Sequence, residues 1–175
     1  MTESYTKYQD YVDKLDSNNP DLVVEAAHTL GDLGDRRAVP ILIDLLQTTT
    51  NPVIRNAAAV GLRELGDERA LYPIVSLLKD PKTEGYRGTL VYALEGFDCS
   101  SVITLLVDLV ITGNFEVSHQ AFQVIELIDS EVNLEILDFC VQKVQDAIPK
   151  SDDDKVELLK DLVELLTEMK LSIVN

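Results

Sequence analysis

Between Asn51 and Leu78 the apolar residues Ile54, Ala58, Leu62 and Leu65 recur at helical spacing. After a short break Ala70, Ile74, Leu77 and Leu78 do the same. Spacings of three and four residues put each set on one face of a helix. The residues between the stripes fit that reading. Asn51 suits a helix cap, and Pro52 suits a first helical position, where its missing N–H has no intrahelical partner to lose. Gly66 follows Leu65, where a helix end favours a left-handed residue. Asp67 can then cap the second helix. The small Ala57-Ala58-Ala59 run lets a neighbouring backbone come close. The segment predicts two helices joined by a Gly-Asp turn.

The same pattern stands thirty-two residues upstream. Asn19-Pro20 aligns with Asn51-Pro52, Ala26-Ala27 with Ala58-Ala59, and Leu30 and Leu33 with Leu62 and Leu65. Gly34-Asp35, Arg37-Ala38 and Leu45-Leu46 continue the match without a gap. A third copy is more worn: Arg87, Leu94 and Phe97 take the places of Arg55, Leu62 and Leu65, and Asp98-Cys99 replaces the Gly-Asp turn. This copy is interrupted by "DPKTEGYRGTLVYALEGF", where Gly85, Gly88 and Gly96 change the local helix. In a fourth, Ala121, Ile125 and Ile128 replace Leu90, Leu94 and Phe97, one residue out of step. A fixed period of this size marks stacked repeats, in which each helix pair buries its apolar face only against its neighbours.

Helices at the two ends would then serve as covers. Tyr5, Tyr8, Val12 and Leu15 form a weak apolar stripe in a cap helix over 4–16. At the far end Ser151 is placed to cap a helix over 151–171, with Asp154 three residues on in a capping-box-like pattern. Val156, Leu159, Leu162, Val163, Leu166 and Met169 supply its stripe. The repeats themselves read as 19–48, 51–79, 81–112 and 114–148, within a single domain of residues 1–175.

"LGDLGDRRAVPILIDLL" and "LRELGDERALYPIVSLL" resemble the HEAT-like repeats of the phycobilisome (bilin) lyase type, with their Leu-Gly-Asp turn, Arg-Ala-Val-Pro and Leu-rich second helix. Leu33-Gly34-Asp35 with Arg37-Ala38-Val39-Pro40 carries the match. Leu65-Gly66-Asp67 with Arg69-Ala70-Leu71 repeats it, Tyr72 standing before Pro73. The resemblance is strong over 19–79, fair over 80–112 and weak beyond. It implies an all-α fold, a right-handed α–α superhelix or solenoid of about four helix pairs with capping helices at both ends. It implies partner binding for most members and lyase activity for a few, so a bilin (phycocyanobilin) lyase or lyase subunit is the alternative.

Composition supports this picture. Of 175 residues, 46% are hydrophobic and only 6% aromatic, so the core is built from Leu, Val, Ile and Ala. No apolar run approaches the roughly 18 residues needed to cross a membrane. The first residues read as neither a signal nor a transit peptide, and cytoplasmic residence is the expectation. Cys99 and Cys140 are too few for a disulfide framework and read as buried thiols.

Charge narrows the partners. A net charge of −16 argues against nucleic acid, which requires phosphate neutralisation. It excludes the basic groove of a HEAT-like DNA-repair glycosylase and opposes an acidic membrane surface, but it would draw in a basic protein. Residues 49–80 are neutral, and the acidic excess is densest over 113–148.

Catalytic chemistry has no foothold in the spacing. Neither His28 nor His119 has a metal-ligand partner in pattern. "SDDDK" at 151–155 lacks the central Gly and distal Glu of a calcium loop, and no P-loop, GxGxxG or GxSxG occurs. The chain reads as a non-enzymatic module with no metal and no cofactor. Arg37 and Arg69 recur at the repeat period, as do Arg55 and Arg87; recurrence points to a structural ladder in which Asp35 and Asp67 stitch turns to neighbouring helices. On the second helices the equivalent solvent positions are Asp44, Ser76 and Asp108. Glu131, Glu135, Asp138 and Asp146 extend an acidic row along the last of them. Second helices line the concave face of such stacks, so this row would receive a basic segment of a partner protein. Tyr72 and Tyr86 are candidate anchors, with Arg87 and Tyr92 beside them. A toxin-immunity or regulatory adaptor role suits so acidic a chain.

Overall fold

A computed structural model describes residues 2–174, with side chains from Lys7 to Ile173. Tyr5's side chain therefore lies outside the described residues. The described chain is all-α, with ten α-helices and no strand: α1 (Thr2–Lys14), α2 (Pro20–Asp32), α3 (Ala38–Thr48), α4 (Pro52–Leu65), α5 (Leu71–Lys79), α6 (Gly88–Ala93), α7 (Ile103–Thr112), α8 (Phe115–Glu126), α9 (Leu134–Ala147) and α10 (Asp153–Val174). It divides into two compact parts, residues up to Phe97 and residues from Asp98.

In the first part α2, α4 and α6 pack side by side, and α3 and α5 form a second row against them, with α1 on α2. The starts follow from capping. Asn19 Oδ1 accepts from the Asp21 N–H at 3.0 Å and Asn51 Oδ1 from the Val53 N–H at 2.9 Å, each with proline next. Gly34 and Gly66 adopt φ of 67° and 55°, which a residue with a Cβ resists. Leu30, Leu46, Leu62 and Ile74 are fully buried and lie on the predicted stripes, and Leu42, one repeat before Ile74, is buried with them. Each such side chain contributes roughly 1.5–3 kcal/mol by leaving water.

A close backbone approach also lies where the repeat alignment did not place one. Ala57, Ala58 and Ala59 are all buried, but α2 and α4 touch at Gly31 and Gly61. A Cβ on Gly61 would lie 2.5 Å from the Ala27 carbonyl oxygen, and one on Gly31 would lie 2.7 Å from Gly61 Cα. These glycines are not thirty-two residues apart, so the repeat alignment does not pair them.

The third copy also departs from the alignment. Asp98, and not Cys99, takes the part of Asp67: Asp98 Oδ1 accepts from the Ser100 N–H at 2.9 Å, as Asp67 Oδ1 does from the Arg69 N–H at 3.2 Å. The reason is local. The first helix of this copy ends in a 3-10 turn over Leu94–Gly96. Three residues of 3-10 helix rise about 6 Å, as far as four of α-helix, so the turn is reached one residue sooner.

In the second part α7 packs on α8, α9 lies beside α7, and α10 covers α9 while touching α7 and α8. Leu106, Ile125, Leu137, Cys140, Leu159, Leu162 and Leu166 form its core. The cap of α10 is Asp152, whose Oδ1 accepts from the Lys155 N–H at 3.0 Å. Ser151, the expected cap, instead donates its hydroxyl to the Ala147 carbonyl at 3.0 Å.

Candidate interaction surface

Helix α9 exposes most of one side. Asn133 caps it, accepting from the Glu135 N–H at 2.8 Å. Leu137, Cys140 and Val144 turn inward, which sends Glu135, Gln142 and Asp146 to the opposite side and Asp138 and Phe139 next to them. Burial pushes the Cys140 thiol up and keeps it protonated. Glu131 lies in the loop before α9 and is exposed there, so it does not extend the helical row as the sequence suggested.

Two of the acids anticipated for a partner are engaged within the chain. Asp108 on α7 pairs with Lys143 on α9 at 2.5 Å, and Asp138 on α9 pairs with Lys170 on α10. These bridges tie three neighbouring helices across the exposed face. Glu135 stands without such a bridge, while Asp146 accepts from the Gln142 side chain at 2.9 Å. Phe139, 57% exposed, lies beside Glu135 and Asp146 on this side of the helix, and Ile136, 40% exposed, lies at its edge toward the buried face. Lys143 Nζ sits 5.5 Å from the Phe139 ring centre. Sequence reasoning missed this apolar pair. Its signal was there: Ile136 and Phe139 are three apart and lie off the stripe of Leu137, Cys140 and Val144.

In the first part Asp44 on α3 and Ser76 on α5 are exposed at equivalent positions. Tyr72, on α5, and Tyr86, in the turn before α6, are 61% and 59% exposed. Arg87 is half-buried and bonded to its own turn. Tyr92 is half-buried beneath the Arg63 guanidinium at 4.5 Å. The Asp–Arg motif closes its own turn, and Arg37 also stacks on the Tyr8 ring of α1 at 4.4 Å. Asp35 binds Arg37 and Asp67 binds Arg69, each within one turn. The Arg69 guanidinium holds the Asp67 carboxyl at a pKa of about 2.

The histidines are exposed, and His119 Nδ1 lies 2.8 Å from the Phe115 carbonyl oxygen. A cavity of about 240 Å³ beside His119 and Phe115 contains Lys155. Its ammonium donates to the Val110 carbonyl at 3.0 Å, the Gly113 carbonyl at 2.8 Å and Ser118 Oγ at 2.5 Å. Burial lowers the Lys155 pKa, and Asp152 opposes the shift. Two of its donors go to the end of α7 and the third to Ser118 on α8, which makes it a tether of that corner. Among the described residues no group of three or more His, Cys, Asp or Glu is placed to hold a metal ion. No described helix is long and apolar enough to cross a membrane.

Comparison with known proteins places the first part. Residues 9–95 match the family of HEAT repeats. These residues form HEAT repeats. HEAT repeats generally mediate protein–protein interaction or scaffolding. The structure of human deoxyhypusine hydroxylase in complex with glycerol is similar over 94% of this chain and 84% of its own, at 15% identity and a TM-score of 0.41. No curated protein sequence matches the chain.

Proposed function

We propose that this protein is a non-enzymatic binding module whose partner is a basic protein, engaged through the exposed side of α9. The observation that carries the reading is the exposure of Phe139 and Ile136 on α9 alongside Glu135, Asp138 and Asp146. Acids steer a basic partner and set orientation. Exposed apolar side chains supply the area whose burial holds the complex together. An adaptor or immunity role, in which the acidic chain occupies a basic partner's working surface, is the form we favour. Its net charge of −16 supports that direction.

Affinity capture from the native host tests it, with Glu135→Lys/Asp146→Lys and Phe139→Ala as comparisons. The expected result is a basic protein retained at low salt and lost at high salt. The charge reversal should abolish capture, and Phe139→Ala should weaken it about tenfold or more, as for an anchor residue. Capture of acidic proteins alone, or capture unaffected by all three substitutions, overturns the proposal.

A further inference from the structure

Arg55 and Arg87 stand one repeat apart, and their surroundings differ. Arg87 donates from Nε to Thr83 Oγ1 and from Nη2 to the Asp80 carbonyl, each at 3.4 Å. Arg55 is more deeply buried, at 9% exposure, yet its side chain makes no hydrogen bond or ion pair with the described residues. A guanidinium carries five donors, and those of Arg55 stay in reach of solvent: among the described residues the buried polar side-chain atoms without a partner are Asn56 Oδ1 and Arg63 Nε. Arg55 lines a cavity of about 280 Å³ between the end of α3 and the 3-10 turn at Pro81–Thr83.

The rest of the lining says what fits. Lys82 supplies a second cation, and Thr49 and Thr50 supply hydroxyls. Thr49 Oγ1 already accepts from the Asn51 N–H at 3.2 Å, so its proton is left to donate. Asp80 also lines the cavity, but its Oδ1 accepts from the Lys82 N–H at 2.9 Å. Two cations against one carboxylate make the lining net positive, in a chain of net charge −16. The volume falls below the roughly 300–1,000 Å³ of drug-sized sites.

We propose that this cavity binds a small oxoanion, a phosphate or carboxylate group, with Arg55 as its fork and Lys82 as the second cation. Planar guanidinium donors match such groups in pairs. The Asp80 carboxylate and the negative end of the α3 dipole oppose an anion here, so one cation alone does not suffice.

The test titrates the isotope-labelled full chain with inorganic phosphate and, separately, acetate, at constant ionic strength set by chloride. NMR shifts follow the Arg55 Nε–H and the amides of Thr49 and Lys82. Saturable shifts are expected, and the anion that produces them identifies the ligand chemistry. Arg55→Gln should abolish them, and Lys82→Gln should weaken binding about tenfold, as for the loss of one charged hydrogen bond. Lys82 is exposed, so its variant stays informative should Arg55→Gln fail to fold. Shifts that do not saturate with either anion, or that persist unchanged in Lys82→Gln, overturn the assignment.

Discussion

Arg63 Nη2 donates to Glu95 Oε2 at 2.8 Å, across one full repeat of sequence. The pair joins the ends of α4 and the helix that packs beside it. Nη1 of Arg63 also reaches Glu64 at 2.6 Å, and its guanidinium covers the Tyr92 ring. The Glu95 side chain is only 16% exposed. Removing the arginine takes a charged partner away from a largely buried carboxylate. Arg63→Ala should cost about 2 kcal/mol, between the ~0–1 of exposed pairs and the ~3–5 of buried ones. Urea denaturation measures it, and a loss below about 0.5 kcal/mol would show that the pair is solvated like any surface bridge.

A second consequence concerns the α2–α4 contact. A methyl group on Gly61 meets the Ala27 carbonyl oxygen at 2.5 Å and the Leu42 side chain at 3.2 Å. The first is backbone inside a helix and cannot swing away. Gly61→Ala should therefore destabilise by about 1–3 kcal/mol through overpacking, although alanine is the better helix former. Gly34→Ala, where a Cβ meets nothing within 4 Å, is strained only by its φ of 67° and serves as the control. Equal or greater stability of Gly61→Ala in a thermal melt would contradict the close approach.

These two relationships also show what the sequence conveys and what it withholds. Capping by Asn19 and Asn51, the left-handed Gly34 and Gly66, and the stripes through Leu30, Leu62 and Ile74 depend on neighbours within a few residues. They are legible from spacing alone. Gly31 against Gly61 depends on where two helices cross, which no local pattern records. Ser151 and Asp152 are both competent caps; Asp152 prevails because the Ser151 hydroxyl is taken by the Ala147 carbonyl. Charge density over 113–148 pointed to α9, but each bridge there joins two helices, Lys143 on α9 reaching Asp108 on α7 and Lys170 on α10 reaching Asp138 on α9. The apolar Ile136 and Phe139 were hidden among the buried residues that alternate with them.

Acid should act on the Gly-Asp turns. The Arg69 guanidinium holds Asp67 at a pKa of about 2, against an ordinary value of 3.8. Between those values the unfolded chain binds the proton and the native turn does not. The Asp67 contribution is thus complete above pH 3.8, declines as pH falls through about 2, and is gone below it. Asp67→Asn should flatten this part of the stability–pH curve, as read by urea denaturation across pH 5 to 2. An unchanged slope would mean that the Arg69 bond does not persist in solution.

Lys155 is expected to act as a tether of α7. Its ammonium satisfies the carbonyls of Val110 and Gly113 at the helix end, where the macrodipole favours positive charge. Lys155→Met keeps the stem and removes the donors. The cost should be about 1–2 kcal/mol, since several partners are left underbonded in a half-buried place. Hydrogen exchange locates the effect: protection should fall at the end of α7 and the start of α8 more than in α1–α5. Uniform loss across the chain would assign Lys155 to global packing.

The bridges at Asp108 and Asp138 make the last prediction, because they restrain the acidity of the α9 surface. Each lysine neutralises a carboxylate that would otherwise face a partner. The four side chains are between 31% and 61% exposed, so the pairs are screened and contribute only about 0–1 kcal/mol each to folding. Lys143→Ala/Lys170→Ala should leave the melting curve nearly unchanged while raising affinity for a lysine-rich peptide several-fold at low ionic strength. The gain should vanish at high salt, since the Debye length falls to about 3 Å at 1 M. Fluorescence anisotropy with a labelled peptide reads both. A gain that survives high salt would assign the change to newly exposed apolar surface around Phe139 in place of freed carboxylates. No gain at any salt would remove α9 from the binding surface altogether.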